Sequence, residues 1–219
     1  VLLTIRIRTD DFLIGFDSDV ANLLNYGMVN TIDRLARNAI DGGDNEVIVG
    51  GIDEGDVAAG GVMTVALARQ QRVNLANASV MTWDGSSYAG IIHPDVAYDF
   101  KAATGEGSWS DTAERTEQGA RIWNDEIGKY ANIRFVESPR CKLNTDGGTG
   151  VVDTYTTYFF GQEFLAKAES IPPHMVLGPV TDKLQRFQPL GWHLYAGWDT
   201  LREAALQRVI TASSIGSNT

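Results

Sequence analysis

Two histidines and one carboxylate set the first chemical question. His93-Pro94-Asp95 has the spacing of a His-x-Asp pair, and His193 supplies a second imidazole further on. Two histidines and one carboxylate are the ligand set of a non-haem iron oxygenase, and Arg202 stands downstream where such an enzyme clamps its co-substrate. The reading that uses His93, Asp95 and His193 as iron ligands therefore stays open from composition. A plainer account competes with it. The apolar run Tyr88–Ile92 has the make-up of a buried strand, His93 stands where it stops, and Pro94 suits the first position of a helix. Asp95 then falls in the first helical turn, where the helix dipole favours negative charge. On that account the imidazole and the carboxylate serve a strand-to-helix junction.

Other chemistry is thinly supplied. There is no Gly-x-Ser-x-Gly elbow for a hydrolase, and Ser138 precedes Pro139 in a plain turn. Asp146-Gly147-Gly148-Thr149-Gly150 lacks the lysine and the helix of a phosphate-binding loop and reads as a flexible surface segment. Asp10-Asp11 and Asp53-Glu54 lie in polar stretches and read as solvated carboxylates. His174 follows Pro172-Pro173 and has no assigned role. The single cysteine, Cys141, forms no intrachain disulfide and no thiolate cage, and reads as a free thiol of a reducing compartment. The expectation is that no catalytic, cofactor or metal residue exists.

The elements that must position these groups follow from periodicity. Leu3, Ile5 and Ile7 alternate with Thr4, Arg6 and Arg8, which predicts a strand. Asp17 or Ser18 can cap a helix in which Val20, Leu24, Met28, Ile32, Leu35 and Ala39 form one apolar stripe. That helix runs to Asp41, with Gly42-Gly43 available for a left-handed cap. At 1.5 Å per residue it spans roughly 37 Å. Residues 50–61 read as a loop. A weaker helix over 62–78 has Val62, Val65, Arg69, Val73 and Ala76 on one side. Further helices are expected over 94–103 and 111–127, the last closing at Gly128. Strands are expected at 88–92, 133–137 and 151–160, followed by two in 191–210, with Trp192, Leu194, Ala196 and Trp198 on one face. Pro172, Pro173, Gly178 and Pro179 should interrupt the part between. The tail 213–219 should fray.

Composition bounds the function. The 219 residues carry 28 acidic against 18 basic side chains, a net charge of −10, so the chain is poorly suited to gripping nucleic acid through phosphates. No apolar run approaches the ~20 residues of a membrane span, and no secretory signal is read. The chain begins at Val1, so an upstream part is expected to have been removed or to be missing.

Three blocks occur in order and at familiar spacing: Tyr88–Phe100, with its Ile-x-His-Pro-Asp-Val-x-x-Asp segment at Ile91–Asp99, then Asn124–Tyr130 and Ile133–Ser138. With the closing segments Leu190–His193, Leu201–Ala205 and Arg208–Ser213, and the helix around Thr31-Ile32-Asp33, the chain resembles the major capsid proteins of tailed bacteriophages. The resemblance covers most of the chain from about residue 17. It implies the α+β Hong Kong 97-type capsid fold. Residues 1–49 would be the first part of a peripheral domain with its spine helix at 17–41, residues 50–179 an axial domain, and residues 180–219 return strands to the peripheral domain. It implies a non-enzymatic subunit that self-assembles into hexamers and pentamers of an icosahedral head in the virion. The head would enclose DNA without sequence-specific binding and be assembled in the host bacterial cytoplasm. Portal, scaffolding or cement proteins are implied as further partners. Such proteins place an N-terminal arm and an extended loop before the spine helix, where this chain has only Val1–Phe16. Trp109 and the loops 104–110 and 143–150 are expected contact or axis-facing segments. A bacterial encapsulin-like nanocompartment shell of the same fold is the alternative within this architecture.

Overall fold

A computed structural model describes residues 3–8, 16–103, 126–179, 183 and 187–215. Strand β1 (Leu3–Arg8) is followed by the 26-residue helix α1 (Phe16–Asp41), then β2 (Glu46–Ile48) and α2 (Val65–Asn77). Next come β3 (Tyr88–Ile92), α3 (Pro94–Ala102), β4 (Glu126–Tyr130), β5 (Ile133–Glu137) and the short β6 (Leu143–Asn144). The chain closes with β7 (Thr154–Phe160), β8 (Leu165–Leu177), β9 (Phe187–Thr200) and β10 (Leu206–Thr211).

The chain divides into two compact units. Unit 1 is residues 1–39 and 166–199; unit 2 is residues 40–165 and 200–219. The boundaries expected at 49/50 and 179/180 do not coincide with these units. The reason lies in the pairing: β2 and β10 both belong to the larger sheet, so 40–49 and 200–219 go with unit 2.

In unit 1 the sheet order is β1-β9-β8, with β1 antiparallel to β9. The alternation read from sequence sets the packing. Trp192 and Leu194 of β9 are buried together with Val20 and Leu24 of α1, and Met28, Ile32, Leu190, Ala196 and Trp198 complete the cluster. β8 corrects the sequence reading, for it runs unbroken through Pro172 and Pro173. Proline is tolerated there because β8 is an edge strand, where one side of the backbone needs no partner.

In unit 2 the described strands form one sheet in the order β2-β10-β7-β3-β5-β4, with β6 paired to β7. β3 and β5 are parallel, β2 and β10 are parallel, and the other pairs are antiparallel. All seven residues of β7, Thr-Tyr-Thr-Thr-Tyr-Phe-Phe, are buried. A strand covered on both faces reads as a continuous β-branched and aromatic run. Around it Phe100, Tyr130, Phe135 and Phe159 meet at ring distances of 5.2–5.8 Å, two of the three contacts edge to face. Cys141 is buried in the same core.

Four expectations are corrected. The buried face of α2 is Ala68, Gln71 and Leu75, while Val73 is exposed. Its apolar pattern was too weak to fix the face from spacing. Glu126 to Tyr130 is a strand rather than the end of a helix, and Gly128, at φ +144°, accommodates a register shift against β5. Of the helix expected over 111–127, residues 111–125 lie outside the described residues, as does the loop holding Trp109. α1 begins at Phe16, which places Asp17 and Ser18 inside its first turn. Among the described residues the positive-φ glycines are Gly50, Gly85, Gly128 and Gly150, so neither Gly42 nor Gly43 makes a left-handed cap. Among the described residues no helix is long and apolar enough to cross a membrane.

Candidate functional site

The His93 junction has the geometry of a helix cap. His93 is extended (φ −70°, ψ 144°), and Asp95 N–H donates to its Nδ1 at 3.3 Å, with Pro94 at the start of α3. The same nitrogen lies 3.4 Å from Asp95 Oδ2. A ring nitrogen that accepts a backbone N–H has no proton to give a carboxylate, so the capped state is the neutral Nε2–H tautomer and not an ion pair. Electrostatics agrees. Burial pushes the His93 pKa below its usual 6.5, against the upward pull of Asp95. Tyr155 O–H donates to Asp95 Oδ2 at 3.0 Å, and its ring stands 4.9 Å from the imidazole. Burial, reinforced by that bond to Asp95, raises the Tyr155 hydroxyl well above its ordinary 10.0. His93 Nδ1, the N–H and carboxylate of Asp95 and the Tyr155 hydroxyl each face a partner in the fold.

The remaining candidate ligands do not join it. His193 sits in β9 with its ring 5.7 Å from that of His174. Arg202 donates through Nη2 to the Ala78 carbonyl at 2.9 Å and serves as a structural tie rather than a co-substrate clamp. Among the described residues no group of three His, Cys, Asp or Glu side chains is placed to hold a metal ion. The oxygenase reading of His93, Asp95 and His193 fails on the engagement of His93 Nδ1 and Asp95 within the fold.

Residues that spacing did not single out hold the unit together. Arg208 of β10 donates through Nη1 to the Asp41 carbonyl at 2.8 Å, and through Nη2 to Glu46 Oε2 at 3.0 Å and to the Gly43 carbonyl. Lys142 Nζ lies 2.6 Å from Asp41 Oδ2. The tail expected to fray from residue 213 is anchored as far as Ile215. Ser214 N–H donates to Asp99 Oδ2 at 2.8 Å, and Ser213 Oγ lies 3.0 Å from both that oxygen and the Asp95 carbonyl. The segment 143–150 is also pinned rather than free. Thr149 donates from its N–H to Val57 O at 2.9 Å and from Oγ1 to Gly55 O at 2.6 Å. Glu54, expected to be solvated, accepts from Thr154 Oγ1. Partners distant in sequence leave no local signal; the one available hint was Arg208, the lone charged residue of the strand Leu206–Thr211.

What stays open to solvent is apolar surface. Leu23, Tyr26 and Val29 form a stripe on α1, Ile171 and Met175–Leu177 lie along β8, Tyr195 is 68% exposed on β9, and Ile52 is 88% exposed in unit 2. Large apolar side chains grouped in this way mark surfaces made for contact with protein.

Comparisons with known proteins agree with a contact-making, non-catalytic chain. The family model described as phage capsid protein matches residues 56–211. Among solved structures, the capsid of Ralstonia phage GP4 aligns at 11% identity and TM-score 0.75, covering 97% of this chain and 73% of that one. The capsid asymmetric unit of cyanophage Pam1 aligns at 12% identity and TM-score 0.72, covering 98% and 74%. The SrpI encapsulin of Synechococcus elongatus aligns at 10% identity and TM-score 0.65, covering 100% and 75%. No curated protein matches the sequence. At such identities the structural likeness establishes the fold, which is the Hong Kong 97 type. Since the family match spans more than half of its length, the chain belongs to the phage capsid protein family and is a structural shell protein rather than an enzyme.

Proposed function

We propose that the chain is the major capsid protein of a tailed-phage head, forming hexamers and pentamers of an icosahedral shell around packaged DNA. The observation that carries this reading is the family match over residues 56–211, which runs from α2 to β10 and takes in every strand of the unit 2 sheet but β2, together with β8 and β9. Unit 1, with α1 as its spine, corresponds to the peripheral domain and unit 2 to the axial domain. The shell is assembled in the host bacterial cytoplasm, with portal, scaffolding or cement proteins as further partners. The net charge of −10 suits a wall against which DNA moves without being held. Tight, salt-sensitive binding of DNA to the isolated subunit would refute that last point.

The encapsulin likeness, which spans the whole chain, supports a second reading as a nanocompartment shell. Expression of the chain with its native flanking genes, followed by electron microscopy and analysis of particle contents, separates the two. Closed particles filled with DNA support the head. Closed particles filled with protein cargo support the nanocompartment. A chain that remains a monomer under every assembly condition overturns both.

A further inference from the structure

The outer flank of β8 combines features that a free surface does not ordinarily carry together. β8 ends the three-stranded sheet of unit 1, so among the described strands it pairs with β9 alone. It is 13 residues long, and nearly every residue from Lys167 to Leu177 is exposed. From Ser170 to Leu177 the sequence Ser-Ile-Pro-Pro-His-Met-Val-Leu has no lysine, arginine, aspartate or glutamate. Ile171, Met175, Val176 and Leu177 are all exposed, Leu177 at 63%. A long apolar edge of this kind invites pairing with another chain.

Charge selects the partner. Unit 1 carries seven basic and eight acidic residues, unit 2 eleven and twenty, so almost all of the net negative charge lies in unit 2. Two copies of an acidic chain approach with least repulsion through their neutral parts. Among the described residues, eight of the seventeen exposed large apolar side chains also belong to unit 1, which is a third of the sequence. A basic partner would be drawn to unit 2, and a nucleic acid finds no cation along 170–177. The occupant that fits is a second copy.

The prolines decide the mode of contact. Successive residues of a strand turn their backbone groups to opposite edges, so one of Pro172 and Pro173 removes a donor from the outer edge in either register. The His174 ring nitrogen Nδ1 shares a 2.9 Å hydrogen bond with the Pro172 carbonyl, engaging an acceptor in the same stretch. A continuous ladder with a neighbouring strand is blocked, while the side chains remain available for burial. We propose that β8 from Ile171 to Leu177 is a self-contact surface on which a second copy docks through side chains, and that Pro172-Pro173 prevents the contact from becoming open-ended strand pairing. The inference rests on the shell-protein reading and adds where copies meet.

Met175 provides a test that needs no substitution. Assembled particles and dissociated subunits are treated with dilute peroxide, and methionine sulfoxide is quantified by peptide mass spectrometry. Burial against a second copy slows oxidation of Met175 at least about five-fold in particles relative to subunits. Equal rates overturn the proposal and leave the shell reading intact. Met175→Asp with Leu177→Asp lowers particle yield at least about ten-fold, one decade of association constant being ~1.4 kcal/mol, with the subunit's melting temperature unchanged. Wild-type yield in the double variant also overturns the proposal, and if it fails to fold the peroxide comparison decides. Pro172→Thr with Pro173→Thr yields filaments or insoluble sheets; closed particles at wild-type yield overturn the guarding role. Should the wild-type chain never assemble, the shell reading and this inference fall together.

Discussion

Arg208 and Asp41, 167 positions apart, meet where α1 ends: the guanidinium donates to the Asp41 carbonyl at 2.8 Å and stands 3.4 Å from its carboxylate. The last carbonyls of a helix lack intrahelical donors and carry partial negative charge. A cation in β10 supplies the donor that a glycine cap would give through its backbone, and adds a charge that such a cap lacks. Tyr158 of β7 and Lys142 approach the same carboxylate, at 3.4 Å and 2.6 Å. Asp41, the last residue of α1 and itself part of unit 2, is thus held within that unit by β10, β7 and Lys142.

Arg208→Ala should therefore be among the most damaging polar substitutions. Arg208 is buried, and its loss leaves the Asp41 and Gly43 carbonyls without their donors and Glu46 without its partner. Removing one member of a buried charged network costs on the order of 3 kcal/mol. Urea unfolding of the isolated subunit measures it. Arg208→Lys recovers only part, because an ammonium is a point charge and lacks the planar fork that reaches two sides at once. Full stability in the lysine variant would show that charge alone matters there.

The His93 cap makes stability depend on pH with a definite sign. The folded pKa lies below 6.5, so the unfolded chain takes up the proton first. The stabilisation is whole above pH 6.5 and declines as pH falls through that value, until the folded imidazole also protonates. Protonation also removes the acceptor that receives Asp95 N–H. Asp56 and Asp84 act in a separate window. Both lie below 3.8: Asp56 through the N–H groups of Asp53 and Ile52, and Asp84 because the upward push of its burial is outweighed by the N–H groups of Ser86 and Ser87, the Ser86 hydroxyl and Arg134 together. Their contributions are present above pH 3.8 and are lost as pH falls through and below it. His93→Asn keeps a cap acceptor without a titrating ring. Its urea midpoint should change less between pH 7.5 and 5 than that of the wild type; equal slopes would clear His93 of the effect.

Which features were legible follows from the range of the interactions. Tyr88–Ile92 and the helix after Pro94 are set by neighbours in sequence, and both stand where spacing put them. The α1 stripe and the β9 alternation were equally plain, because an amphipathic element announces its own buried face. β8 was hidden because proline argues against a strand until the strand is known to lie at an edge. α2 misled because Gln71, a polar residue, is fully buried there while Val73 is exposed. The junction site was read correctly at the level of His93, Pro94 and Asp95, but Tyr155 arrives from β7, 60 positions away, with no local mark. The same holds for Asp99, which binds the tail 115 positions later.

Asp99→Ala should release that tail. The carboxylate accepts Ser214 N–H at 2.8 Å and bonds both serine hydroxyls, and bonds to a charged group contribute about 1.5–3 kcal/mol. Because the site is only partly buried, a loss of about 1 kcal/mol of global stability is expected, with a larger local effect. Hydrogen exchange reports it: the amide of Ser214 should exchange at least ten-fold faster while β10 is unchanged. Unaltered exchange at Ser214 would mean that the tail is held by other contacts.

Gly161 is required for close approach rather than for flexibility. It follows β7, its N–H donates to Ala205 O at 3.1 Å, and the next residue's N–H donates to Met81 O at 3.0 Å. A Cβ at 161 would stand 2.4 Å from that Met81 oxygen and 2.4 Å from Val80 Cγ1. The oxygen belongs to the backbone and is already engaged, so relief requires moving the 80–81 segment away from β7. Overpacking of this kind costs about 1–3 kcal/mol. For a chain of this size that corresponds to a fall of roughly 2–12 °C in melting temperature. Gly60→Ala is the matched control, since nothing lies within 4 Å of its Cβ position. It should leave the melt unchanged or raise it slightly, because alanine restricts the unfolded chain. If Gly161→Ala melts with the control, the 80–81 segment yields freely and the close approach does not hold it against the strand.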